Sequence, residues 1–140
     1  MVNFAHIAPI DFLDLVKDQP VHLTLAHLVD TSNEYTEFYR SQTCVNIMDN
    51  SAFEMYKQGK PMLTPMKVLE MAQKIKANYV VMSDYPGEHS SKTIQAAIDL
   101  APLFRAQGFG TFFVPQSKIG DKEDLINAFD WASTSKHVDY

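Results

Sequence analysis

The stretch Thr64-Pro65-Met66-Lys67-Val68-Leu69-Glu70-Met71-Ala72-Gln73-Lys74-Ile75, with Tyr79-Val80-Val81-Met82-Ser83-Asp84 close behind it, decides the fold. Thr64 can accept a free backbone N–H, and Pro65 suits the first helical position, where its missing N–H does no harm. Val68, Leu69, Ala72 and Ile75 recur at helical spacing and form one apolar stripe. Tyr79 to Met82 is an uninterrupted apolar run, the pattern of a strand covered on both faces. A helix feeding a buried strand is half of a β/α repeat. The strand ends at Asp84, and Tyr85-Pro86-Gly87-Glu88-His89 cannot continue it because proline and glycine interrupt pairing.

The same alternation extends in both directions. Upstream, His22 to Val29 reads as a strand leading into Asp30. Thr31-Ser32-Asn33-Glu34 has the form of a capping box, opening a helix with Tyr35, Phe38 and Tyr39 on one face. Cys44 to Met48 is a short apolar strand running into Asp49. Gln58-Gly59-Lys60-Pro61 is a loop. Downstream, Ser90 or Ser91 caps a helix whose inward residues are Ile94, Ala97, Ile98, Ala101 and Phe104, stopped by Gly108. Thr111 to Val114 is a strand ending at Pro115-Gln116. A further helix spans about Lys122 to Ala132, with Leu125, Ile126 and Phe129 inward. Phe4 to Ala8 reads as a short first strand, Asp11 to Val16 as a helical turn, and Val138 to Tyr140 as the start of another strand.

Strands alternating with helices make an α/β domain with a mostly parallel sheet, because each helix carries the chain back across it. Strand starts fall roughly 30 residues apart, the repeat of a (β/α)8 barrel. A full barrel takes about 250 residues. The 140 residues here, read as one domain over 1–140, have room for about half to five-eighths of one. A small doubly wound parallel sheet is the competing architecture.

Bulk properties narrow the function. Apolar residues make up 46% and charged residues 21%, which suits a packed core rather than disorder. The net charge is −5 and the twelve basic residues are scattered, so charge alone predicts no strong nucleic-acid binding. No apolar run is long enough to span a membrane. Met1 to Ile10 lacks the basic start and apolar stretch of a signal peptide, and Cys44 stands alone, so a cytoplasmic protein is the simplest expectation.

In either architecture ligands bind at the carboxyl ends of strands. Four places qualify: Asp30, Asp49 to Glu54, Asp84 to His89, and Gln116. Neighbouring carboxylates can divide labour, one staying ionised while the other handles a proton. A carboxylate also grips adjacent N–H groups by paired hydrogen bonds. An aspartate after a strand equally serves as a turn or helix cap, and Asp30 fits that role best. His89 lies with Asp84 and Glu88 in a mixture that could bind a metal, but no spaced ligand motif accompanies it, and it reads as a solvated loop histidine. Cys44 reads as a small core residue. His22 and His27 read as hydrogen-bonded wall residues, and the Tyr35, Phe38, Tyr39 face as packing.

Ile47-Met48-Asp49-Asn50-Ser51-Ala52-Phe53-Glu54 resembles the Asp-Ser-Gly-Gly-Phe-Gln motif of the tRNA-guanine transglycosylase superfamily. It is closer to the Asp-Asn-(Gly/Ser)-Ala-Phe-Glu form of the bacterial and phage DNA 7-deazaguanine transglycosylases. Val80-Val81-Met82-Ser83-Asp84 matches that family's later strand ending in Asp. Phe113-Val114-Pro115-Gln116 resembles its strand ending in Val-Gln-Gly-Gly. Order and spacing agree from about Val21 to Ala132.

The resemblance implies exchange of a base in DNA or tRNA for a 7-deazaguanine derivative. Asp49 would contact the heterocycle and handle a proton as the catalytic residue. Phe53 would stack on the base, with Asn50 and Ser51 offering polar contacts beside it. Asp84 would grip the amino–imino edge and Gln116 the carbonyl. Such a heterocycle needs a stacking ring, a carboxylate and an amide. Two departures shape the expectation. The family's nucleophilic Asp lies on a later strand, beyond Tyr140, and the Cys-rich zinc site of the tRNA enzymes is missing, so neither metal nor cofactor is implied. Ser117 and Lys118 replace the glycines after the Gln. Two readings stay open: the base-recognition half of a transglycosylase, or a non-catalytic half-barrel that pairs with itself or another chain and holds a purine-like ligand. In both, a homodimer or partner chain completing the barrel is expected, and no membrane.

Overall fold

The computed structural model describes residues 3–140. It is an α/β structure built on a four-stranded, all-parallel sheet in the order β1-β2-β3-β4: Val21–Leu25, Val45–Asp49, Tyr79–Val81 and Gly110–Phe112. Strand order in space follows order in sequence. Helices α1 (Ala26–Thr31) and α2 (Asn33–Ser41) connect β1 to β2, and α3 (Ala52–Lys57) and α4 (Pro65–Ile75) connect β2 to β3. Helix α5 (Ser90–Ala106) leads to β4, and α6 (Lys122–Thr134) follows it.

Each strand shows one face to the main core. His22 and Thr24 of β1, Asn46 and Met48 of β2, Val80 of β3 and Thr111 of β4 are all buried. Met48 and Val80 pack with Tyr35, Tyr39, Leu69, Ala72, Ala97 and Phe104 from the helices. The opposite face is more open: Val21, Leu23 and Leu25 are half-buried and Val45 is exposed. Gly110 is required where β4 meets β3, since a Cβ there would lie 2.3 Å from the Tyr79 ring.

The deciding stretch folds as its pattern predicts. Thr64 Oγ accepts the Lys67 N–H at 3.3 Å, Pro65 opens α4, and Val68, Leu69, Ala72 and Ile75 are buried, joined by Met71. Other elements depart from expectation. The strand expected over His22–Val29 stops at Leu25, and Ala26 begins a helix, because the Ser51 hydroxyl accepts the His27 N–H and turns the chain over. Asp30 is therefore inside α1 and caps nothing; it pairs with Lys67 at 2.7 Å. Ser32, not Thr31, caps α2 by accepting the Tyr35 N–H, while Thr31 Oγ returns to the His27 carbonyl. His89, rather than either serine, caps α5, with Nδ1 accepting from Ser91 N. Cys44 lies just outside β2, half-buried.

Helix α6 is rotated from the expected face. Leu125 is half-buried, while Ile126 and Phe129 are each 57% exposed; Asp124 and Ala128 point inward instead. The cause is Asp124, which accepts from Ser90 N at 2.9 Å and Ser90 Oγ at 2.5 Å and so fixes the helix to the start of α5. The expected strand at Phe4–Ala8 reduces to one parallel pairing, His6 with His22, and Ile10–Val16 is 3-10 in geometry. Val138–Tyr140 forms no strand, yet Tyr140 N donates to Thr111 O and Phe113 N to Tyr140 O, as in a parallel pair. No helix among the described residues is long and apolar enough to cross a membrane.

Candidate functional site

The three strands β2, β3 and β4 deliver their carboxyl ends to one rim. At the first, Asp49 Oδ2 accepts the Ser51 N–H and Asn50 Oδ1 accepts the Ala52 N–H, both at 2.8 Å. Two successive side-chain-to-backbone bonds of this kind fold the chain into a tight turn. The turn forces Ser51 into the left-handed region, φ +59°. That conformation is one that glycine adopts without strain.

At the second strand end, Asp84 is buried and both of its oxygens are engaged. Oδ1 accepts from Asn50 Nδ2 at 2.7 Å and Oδ2 from Gln116 Nε2 at 2.5 Å. Asn50 Nδ2 also reaches the Met82 carbonyl at 2.8 Å. One carboxylate thereby ties together the ends of three strands. A second tie joins the rim loops, where Gly87 pairs with Lys118.

These residues surround a cavity of about 290 Å³. Asp49, Asn50, Glu54, Asp84 and Gln116 supply its polar lining, Phe53 a ring, and Ile7, Leu23, Leu25 and Val114 its apolar walls. The size lies at the small end of ligand pockets, about 300 Å³. None of the lining residues is basic. Burial pushes the Asp49 carboxyl up to about 6, against the Ser51 N–H, and the negative charges of Glu54 and Asp84 push the same way. Asp84 is also raised by burial, while the Asn50 and Gln116 amides pull it back. A carboxyl near 6 exchanges protons readily at neutral pH.

Of the residues singled out from sequence, Asp49, Asn50, Phe53, Asp84 and Gln116 line this cavity. Asn50 spends its amide on Asp84, Met82 and Ala52, so it orients the carboxylate. Ser51 does not line the cavity: it is wholly buried, with its hydroxyl 2.8 Å from His27 Nδ1. Phe53 leaves 57% of its surface exposed, with Lys57 Nζ 5.3 Å from the ring centroid.

Glu54, given no role of its own from sequence, also lines the cavity and ends the very motif that placed Phe53. Ile7 carries no local signal and reaches the site through the fold. His27, expected to be a hydrogen-bonded wall residue, is bonded to the Ser51 hydroxyl. His89 is held elsewhere, its Nε2 3.3 Å from Asp124. Burial holds the His27 ring below the ordinary histidine range. His22, expected to be hydrogen-bonded, is fully buried with neither ring nitrogen bonded. Among the described residues no three His, Cys, Asp or Glu side chains gather as a metal-ligand set.

No protein-family model, curated protein or solved structure matches this chain.

Proposed function

We propose that this chain is the base-recognition half of a base-exchanging transglycosylase that inserts a 7-deazaguanine derivative into DNA or tRNA. One observation carries the reading. Asp49 at the end of β2, Phe53 just beyond it, Asp84 after β3 and Gln116 after β4 come from distant parts of the sequence and face a single small cavity. Together they offer what a flat, polar heterocycle requires. Phe53 is exposed enough to stack on its face, worth about 1–3 kcal/mol per base. Asp84 accepts adjacent ring N–H groups, and Gln116 turns its amide toward the carbonyl. Asp49, with its raised proton affinity, protonates the departing base and takes the proton from the incoming one. The nucleophile that attacks the sugar is not among these four residues.

The architecture in this reading is the first part of a (β/α)8 barrel. Sequential strand order supports it, and so does its continuation on both sides, through His6 next to β1 and Tyr140 next to β4. The open sheet face, carrying Leu23 and Leu25 toward the cavity, is then the barrel interior. A doubly wound sheet would need a reversal of strand order outside these four strands.

The test has two arms. Calorimetric titration of the chain with a 7-deazaguanine should show binding that F53A and D84N each weaken at least tenfold. The complete protein, given duplex DNA or tRNA and a labelled base, should incorporate label, and D49A should not. No binding by the chain and no incorporation by the complete protein sinks the proposal.

An assembly module is the second reading, favoured by one feature. A largely apolar groove of about 490 Å³ lies beside β4, lined by Phe112, Phe113, Phe129, Val138 and Tyr140. Label incorporation separates the readings, since an assembly module pairs with itself or another chain and holds a purine-like ligand but exchanges no base.

A further inference from the structure

The segment before β1 has two sides. Its backbone is attached to β1 by His6 N to Val21 O at 3.0 Å and by Leu23 N to His6 O at 2.9 Å. Ile7 faces the cavity, while Ala8 is buried in the main core. His6 lies toward His22, with ring centroids 6.5 Å apart, and Tyr39 of α2 meets His22 edge-on at 5.3 Å. His22 is 0% exposed, and its two ring nitrogens and the Tyr39 hydroxyl have no hydrogen-bond partner. Such a pocket tolerates a neutral imidazole and offers a charged one only the Gln19 carbonyl, which burial outweighs.

We propose that the N-terminal segment around His6 is an acid-labile wall of the cavity, released when His22 takes up a proton. The groups facing His22 give the proton no counter-charge. From the segment comes His6, which opposes a positive charge on His22. From α2 comes Tyr39, whose hydroxyl burial keeps protonated, and Cys44 acts on Tyr39 rather than on His22. From the preceding loop comes only the Gln19 backbone, and from β2 the register partner is the uncharged Asn46. Burial, then His6, holds the His22 ring below the ordinary histidine value of 6.5. The sign follows. A detached, hydrated His22 binds a proton more readily than the packed one, so attachment is complete above pH 6.5 and weakens as pH falls below it. Releasing the segment removes Ile7 from the cavity wall. This inference does not depend on what the cavity binds.

Hydrogen exchange resolved by residue tests it, read as protection factors so that intrinsic rates cancel. Between pH 7.5 and 5.5 the His6 and Leu23 amides should lose about tenfold in protection, while Met48 and Val80 keep theirs. In H22Q the loss should vanish. H6Q, at a more exposed position, should fold normally and show a smaller loss than the parent, which keeps the test decisive if H22Q does not fold. Unchanged protection in the parent, or a loss undiminished in both variants, overturns the proposal.

Discussion

Replacing Asp49 by Asn should make the protein more stable at neutral pH and destroy its proposed chemistry. The native carboxyl sits near 6 where an unperturbed one sits at 3.8, chiefly through burial. A native pKa above the unfolded one means that the folded state holds its proton more tightly. Stability from this group is therefore greatest below about pH 4 and is lost as pH rises through 6. The gap between the two values corresponds to about 3 kcal/mol at pH 7.5. Because Asp49 borders an open cavity, a gain of about 2 kcal/mol is the working expectation. Asn keeps the oxygen that accepts the Ser51 N–H, so the turn survives. Urea denaturation should show the D49N midpoint higher by about 1 M at pH 7.5, with the difference shrinking toward zero at pH 4. A variant no more stable than the parent at pH 7.5, or one whose advantage persists at pH 4, refutes the reasoning. The pH dependence separates relief of a buried charge from any general improvement in packing.

Two further outcomes probe the scaffold. Ser51 holds a left-handed conformation and a hydrogen-bonded hydroxyl. S51A keeps the strain and loses the bond, so it should destabilise by about 1–2 kcal/mol, whereas S51G relieves the strain and should be near neutral in thermal melts. G110A should destabilise by about 1–3 kcal/mol through overpacking on the Tyr79 ring, and the compensating double variant G110A/Y79A should recover part of that loss.

What could be read from the sequence was set by local interactions. The stripe of α4, the apolar runs of the strands and the ends of β2 and β3 follow from side chains a few positions apart. The failures share a different cause. Helix α6 turns a different face inward than its apolar residues predict because Asp124 looks like a surface residue until Ser90, far away in sequence, is brought to it. The end of β1 is not legible locally because Ala26-His27-Leu28-Val29 suits strand or helix equally, and the deciding partner is the Ser51 hydroxyl. Short α3 carries too few turns for a periodic signal. At the site, motif order grouped Asp49, Phe53, Asp84 and Gln116 at strand ends. It could not reveal that Asn50 serves Asp84 or that Ser51 faces His27, since both depend on a turn whose geometry emerges only once it is folded.

The amide grip on Asp84 bears on timing. A ligand that donates N–H groups to this carboxylate competes with Asn50 and Gln116 for the same lone pairs, so part of its binding energy is spent on displacement. The reverse also holds: as the ligand departs, Gln116 Nε2 is at hand to take back Oδ2, and no unpaired buried anion forms along the exit path. Such a site exchanges occupants quickly at the expense of ultimate affinity.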